Sequence, residues 1–112
     1  MNNRCAKYKT CPMTLFHKLV SGKWKILILW YLSSGCLRFS EIQRKLPDVT
    51  QRMLTNQLRS LEEDGLVHRE VYPVVPPKVE YSLTEIGQKM IPLLEQMYNY
   101  GIDYGETLNK SR

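Results

Sequence analysis

The stretch Leu46-Pro47-Asp48-Val49-Thr50 constrains this chain more than any other. Proline lacks the amide hydrogen that a helix interior requires, and its ring disfavours helical backbone before it, so a helix arriving from upstream stops at Pro47. Thr50 then offers a side-chain oxygen to the unpaired N–H groups of a new first turn. Upstream, Ser40-Glu41-Ile42-Gln43 has the form of a capping box, with Ser40 at N-cap and Gln43 at N3. A short helix over 40–46 follows, with Ile42 and Leu46 buried. The second helix is expected from Thr50 to about Glu63, closed by Asp64-Gly65 with glycine at C′. Two capped helices across so short a turn have the dimensions of a helix-turn-helix.

On a wheel of about 100° per residue, Leu54, Leu58 and Leu61 fall within about 60° of one another. Arg52, Asn56, Arg59 and Glu63 lie on the other side, with Thr55 at its flank. Arg reaches guanine O6 and N7 with two hydrogen bonds, and Asn reaches adenine N6 and N7 likewise. Both stand in the first turns, the end that enters the major groove in such motifs. Glu62, Glu63 and Asp64 crowd the far end. An ordinary amphipathic helix with a solvated face has the same pattern. The neighbouring elements tip the reading toward DNA.

Leu66 to Val71 and Val79 to Leu83 are rich in strand formers and flank the stiff segment Tyr72-Pro73-Val74-Val75-Pro76-Pro77-Lys78, which reads as a hairpin with a long tip. Thr84 caps a last helical region whose apolar residues fall at 86, 90, 93, 97, 100, 104 and 108, the spacing of a helix–helix seam. Pro92 should restart that helix near Ile91. At the other end, Pro12 suits a first helical position, with Cys11 as N-cap, in a helix to about Val20 that buries Leu15, Phe16 and Leu19. A second helix is expected from about Lys23 to Ser33. Its ILILWYL core has no periodicity to exclude a strand, but its start and stop signals favour a helix.

Charge is unevenly spread. Residues 1–47 hold nine Lys/Arg against one acid, whereas 48–83 carry a net −2 and 84–112 a net −1. A basic first half suits a polyanionic partner, and equally a solubilising surface. Arg38, Lys45, Lys23 and Lys25 are candidate phosphate contacts by charge alone. Lys78, at the proline-rich tip, is a further candidate for phosphate or the minor groove.

With these residues in view, the chain resembles the HxlR-type winged helix-turn-helix regulators, a branch of the MarR-like superfamily. The stretches that carry the resemblance are CPMTLFHKLVSGKWKILILWYL and LRFSEIQRKLPDVTQRMLTNQLRSLEEDGLVHREVYPVVPPKVEYSLTEIG, covering residues 11 to 87 almost without a gap. DGLV alone is weak; the ordered set CP, GKW, RFSEI, LP..TQRML, L..LE.DGLV.R and YP.VPP.VEYSLT is highly specific. The resemblance implies a mainly α fold with a small β-hairpin (α+β), a winged helix-turn-helix with an added N-terminal helix and C-terminal dimerisation helices. One domain spans 11–109 after a basic arm at 1–10, with the helix-turn-helix at about 40–63, the wing at about 66–83 and the dimerisation helix at about 84–108.

The implied function is that of a homodimeric bacterial transcription regulator, read as a cytoplasmic repressor, on double-stranded DNA bearing a palindromic operator. The recognition helix falls on 51–63, so Gln51, Arg52, Thr55, Asn56 and Arg59 become DNA-binding candidates. Dimer contacts fall on the first and last helices, hence Leu15, Phe16, Ile86, Met90, Leu93, Met97, Tyr100 and Tyr104. The rival is a protein-interaction module that uses the C-terminal seam without specific DNA binding.

Members that sense oxidants or electrophiles use a cysteine at the position of Cys11, and a small electrophile is a candidate inducer. A helix N-terminus with Lys7 and Lys9 upstream favours a thiolate there, although a small capping residue without redox chemistry fits the position as well. Cys36, beside Leu37, is expected to be buried and inert. A metal site from Cys5, Cys11 and His17 is disfavoured, since Cys11 and His17 lie about 240° apart on a helix. No cofactor is expected. Two histidines and the absence of any H-E-x-x-H, G-x-G-x-x-G or P-loop pattern argue against an enzyme. No apolar run approaches the ~18 residues of a membrane span.

Overall fold

The computed structural model describes residues 9–110. Most of the basic arm, with Cys5 and Lys7, lies outside the described residues. In chain order the elements are α1 (Pro12–Val20), α2 (Lys25–Leu32), β1 (Leu37–Arg38), α3 (Phe39–Lys45), α4 (Gln51–Glu63), β2 (Val67–Tyr72), β3 (Lys78–Leu83), α5 (Glu85–Gln88) and α6 (Ile91–Lys110). The ILILWYL segment is helical. Ile28, Leu29 and Leu32 of α2 are buried at the centre of the core, where they meet Ile42 of α3, Leu54, Leu58 and Leu61 of α4, and Leu94 of α6.

The strands form an antiparallel sheet in the order β1-β3-β2. The hairpin register runs from Val67 opposite Leu83 to Tyr72 opposite Lys78. β1 adds Leu37 opposite Tyr81 and Arg38 opposite Glu80. The chain therefore passes from the sheet directly into α3, which ties the hairpin to the helix pair.

That passage moves the start of α3. The helix begins at Phe39, its N-cap is Arg38, and the Arg38 backbone N–H donates to Glu41 Oε1 at 2.8 Å. The expected pairing of Ser40 with Gln43 is displaced by two residues, because a carboxylate is a stronger acceptor than an amide and β1 already sets the backbone at Arg38. Gln43 instead donates through Nε2 to the Val49 carbonyl, bracing the turn that follows Pro47. α2 also begins later than expected, at Lys25, after a turn containing Gly22.

α1 differs from its expected packing. Pro12 stands at its first position and Cys11 at N-cap, but Leu15 is 53% exposed, Phe16 and Leu19 are half-buried, and only Val20 is buried. At the other end, Thr84 Oγ1 accepts from Gly87 N and caps α5, and α6 restarts at Ile91 with Pro92 in its first turn.

Candidate nucleic-acid interface

α4 is an amphipathic helix fixed at both ends. Thr50 Oγ1 accepts the Met53 N–H at 3.1 Å, while Gly65, with φ of 79°, lets the chain leave the helix in a conformation that other residues rarely adopt. Leu54, Leu58 and Leu61 face the core; Gln51, Arg52, Thr55, Asn56 and Arg59 are exposed. The outward face thus carries two guanidinium groups and two carboxamides on a rigid rod, donors suited to base edges and phosphates.

Thr55 and Arg59 border a cleft of about 360 Å³ with Glu62, Arg69 and Tyr81, so the hairpin supplies a second guanidinium beside α4. Arg69 was not among the candidates read from the sequence. Its signal was the strand alternation: Arg69 shares a face with buried Val67 and stands opposite buried Tyr81, and that face turns toward α4.

The other basic candidates are distributed differently. Arg38 and Lys78 border a separate cleft of about 560 Å³ between the start of α3 and the tip residues 74–77. Lys78 is the first residue of β3 rather than part of the tip, and it pairs with Glu80 Oε2 at 3.5 Å with its Nζ 5.2 Å from the Tyr72 ring centre. Its charge is therefore partly matched within the hairpin. The Tyr72 hydroxyl hydrogen-bonds Glu80, and that bond together with the carboxylate's charge raises the phenol pKa above 10.0. Lys45 is exposed at the end of α3, with Nζ 5.4 Å from the Tyr31 ring. Lys23 is exposed beside Trp24. Lys25 is buried, donating to Ser60 Oγ at 2.8 Å, which removes it from the phosphate contacts suggested by its charge.

The seam residues split into two groups. Ile86, Leu93, Met97, Tyr100 and Tyr104 are exposed, at 56, 43, 37, 72 and 56%, respectively. Met90 instead turns into the chain's own core, where it is 9% exposed, because it lies in the bend between α5 and α6 that presses on the sheet. Leu94, off the expected stripe, is buried as well. Tyr98 stacks on Trp30 of α2 with ring centres 4.9 Å apart. Cys11 is half-buried, whereas Cys36 is exposed, contrary to expectation. It precedes the sheet's edge strand and follows the exposed Ser34-Gly35 turn, so nothing folds over it. Among the described residues there is no group of three or more His, Cys, Asp or Glu able to hold a metal, and no helix long and apolar enough to cross a membrane.

Comparison with known proteins places this geometry in a family. The model of the HxlR-like helix-turn-helix family matches residues 19–109. YdeP of Bacillus subtilis, named as an HTH-type transcriptional regulator, is 47% identical over 92% of this chain and 80% of its own. The solved structure of the redox regulator HypR in its reduced form superposes with a TM-score of 0.83 at 47% identity, over 88% of this chain and 98% of that one. The reduced transcriptional regulator YodB of B. subtilis superposes at 0.72 with 36% identity, over 81% and 90%. All three relatives are named as regulators. With α4 capped by Thr50, backed by leucines and followed by the hairpin, this chain belongs to the HxlR-like helix-turn-helix family of transcriptional regulators.

Proposed function

We propose that the chain acts in the cytoplasm as a homodimeric repressor that reads a palindromic operator through α4. The observation that carries this is the exposed face of α4, where Arg52, Thr55, Asn56 and Arg59 stand outward over a leucine-packed back. Arg52 and Asn56 read bases; Arg59, with Arg69 across the cleft, holds phosphate. Arg38 and Lys45 add backbone contacts, and Lys78 a weaker one. Support for a dimer comes from the apolar residues left uncovered on α1, α5 and α6, including Leu15, Ile86, Leu93, Met97, Tyr100 and Tyr104. Two copies related by a two-fold axis present two α4 helices to half-sites about one helical turn apart.

The test begins by selecting bound fragments from random genomic DNA with the purified protein. Arg52→Ala or Asn56→Ala then costs about 1–3 kcal/mol on the selected fragment and much less on random duplex. Arg59→Ala weakens both more evenly. Variants that bind like the parent would remove α4 from the reading. Sedimentation at low micromolar concentration yields twice the chain mass; a monomer there defeats the dimer.

Cys11 is the proposed oxidant- or electrophile-responsive residue. Its support is its place at the start of α1, together with the likeness to HypR and YodB, the first described as a redox regulator. Because Cys36 is exposed, the decisive comparison among the described residues is between Cys11 and Cys36. Diamide or a quinone shifts operator affinity in the parent and in Cys36→Ser, but not in Cys11→Ser. A shift that survives Cys11→Ser leaves that cysteine a purely structural role.

A further inference from the structure

Among the described residues Lys25 is the one buried charged side chain, 7% exposed at the first position of α2. Two physical costs oppose it there. An ammonium loses hydration on burial, and a cation at a helix N-terminus faces the positive end of the helix dipole. It is held nonetheless, with its Nζ donating to Ser60 Oγ of α4 at 2.8 Å. That bond uses one of three N–H donors.

A second acceptor lies close by. Gln57 Oε1 is buried without a hydrogen-bond partner. Gln57 and Ser60 are three residues apart, so they share one flank of α4, between the leucine face and the Arg/Asn face. Gly22 fixes their common neighbour. A Cβ at Gly22 would meet Gln57 Oε1 at 2.8 Å and the Lys25 Cδ and Cε at 3.4 and 3.5 Å, so all three atoms crowd one point. Gly22 also has φ of +134°, which L side chains rarely adopt. The glycine leaves the space that lets the lysine stem and the glutamine head approach each other.

We infer that Lys25 is a positioning residue that sets the rotation of α4 about its own axis, through Ser60 and the adjoining Gln57 carboxamide. The inference rests on the reading of α4 as the base-reading helix. Leucine packing resists translation of α4 but is tolerant of small rolls, since apolar contacts are non-directional. A roll of about 20° moves side-chain tips, about 5–6 Å from the axis, by about 2 Å. That is enough to break the two-point contact of Arg52 or Asn56 with a base, whereas a phosphate contact is less demanding of geometry. Lys25 therefore acts on sequence preference and little on total DNA affinity. Polar groups kept in a core at a cost in stability have this ordering role in other folds.

The experiment uses the full-length protein, the genomic fragment it selects, and a scrambled duplex of equal length. Ser60→Ala lowers affinity for the selected fragment by about tenfold, the scale of losing one hydrogen bond to a charged group, and changes affinity for the scrambled duplex less than twofold. Lys25→Met, which keeps the stem and removes the charge, does the same. The double variant is no worse than Lys25→Met alone, because both remove one interaction. Ser60→Thr, which keeps the hydroxyl, retains the parent's preference. Should Lys25→Met fail to unfold cooperatively on heating, the Ser60 pair decides. A Ser60→Ala protein with unchanged preference overturns the inference, as does one that loses both affinities equally. If preference also survives Arg52→Ala and Asn56→Ala, the reading of α4 itself fails; if those two abolish it while Ser60→Ala and Lys25→Met do not, only the role of Lys25 is lost.

Discussion

Thr84 Oγ1 donates to the Gly65 carbonyl at 2.6 Å and accepts from Gly87 N at 3.1 Å. One hydroxyl thus joins the exit of α4, where the hairpin begins, to the first turn of α5, where the hairpin ends. The Thr84 backbone N–H adds a bond to the Leu66 carbonyl at 3.1 Å. Thr84→Val keeps the shape and loses both hydroxyl bonds, so it is expected to cost about 1–2 kcal/mol in urea unfolding. Thr84→Ser is expected to recover most of that loss.

Gly87 is held to its size by the same junction. A Cβ there would lie 2.3 Å from the Leu66 carbonyl oxygen and 3.3 Å from its carbon, both of them backbone. Neither atom is free to swing aside as a flexible side chain would. Gly87→Ala should therefore destabilise by about 2 kcal/mol or more, at the severe end for a single methyl. A thermal midpoint within a degree of the parent would contradict this close packing.

Arg69 and Lys78 are both basic residues of the hairpin, yet their surroundings predict different effects on DNA binding. Arg69 lines the cleft shared with Arg59, whereas Lys78 is engaged by Glu80. Arg69→Ala is expected to weaken selected and random duplexes alike and to reduce the salt dependence of binding by about one contact. Lys78→Ala should change the salt slope less. The comparison needs only affinities measured at several salt concentrations.

Tyr72 gives a pH-dependent signature of the hairpin. The Glu80 hydrogen bond and charge raise its pKa, so the folded state holds the phenol proton more firmly than the unfolded chain does. The resulting stabilisation is fully present below pH 10.0 and is lost as pH rises through the raised folded value. Glu80→Gln removes the charge, so tyrosinate absorbance attributable to Tyr72, obtained by difference from Tyr72→Phe, should appear at lower pH than in the parent. An unchanged titration would show that Glu80 does not hold the phenol.

The parts of this molecule legible from its sequence were those written in local chemistry. Thr50, Thr84 and Pro12 mark helix starts because each supplies or omits a particular backbone partner, and Pro92 marks the α6 restart for the same reason. The leucine and Arg/Asn faces of α4 follow from helical period alone. The Ser40 box was misread because β1, a strand of two residues that exists only through its pairing with β3, delivers the chain to Arg38 already positioned for a helix. Lys25 was misread because its burial depends on Ser60, 35 residues away, and charge alone says surface. Met90 and Cys36 erred in opposite directions for one reason. Periodicity and neighbours predict which face a residue shares, but only the assembled sheet and the α5–α6 bend decide what covers that face.

Beyond Tyr98, stacked on Trp30, α6 continues to Lys110 with every residue exposed except half-buried Gly105. At 1.5 Å per residue this is an arm of about 18 Å standing clear of the domain. Helices so short are marginal in water without tertiary support, and this one contains Gly101 and Gly105. Its order is therefore linked by mass action to whatever covers it. With a second copy as the cover, as proposed above, helix content and thermal midpoint both climb with protein concentration, and values independent of concentration would exclude self-association as the source of that order.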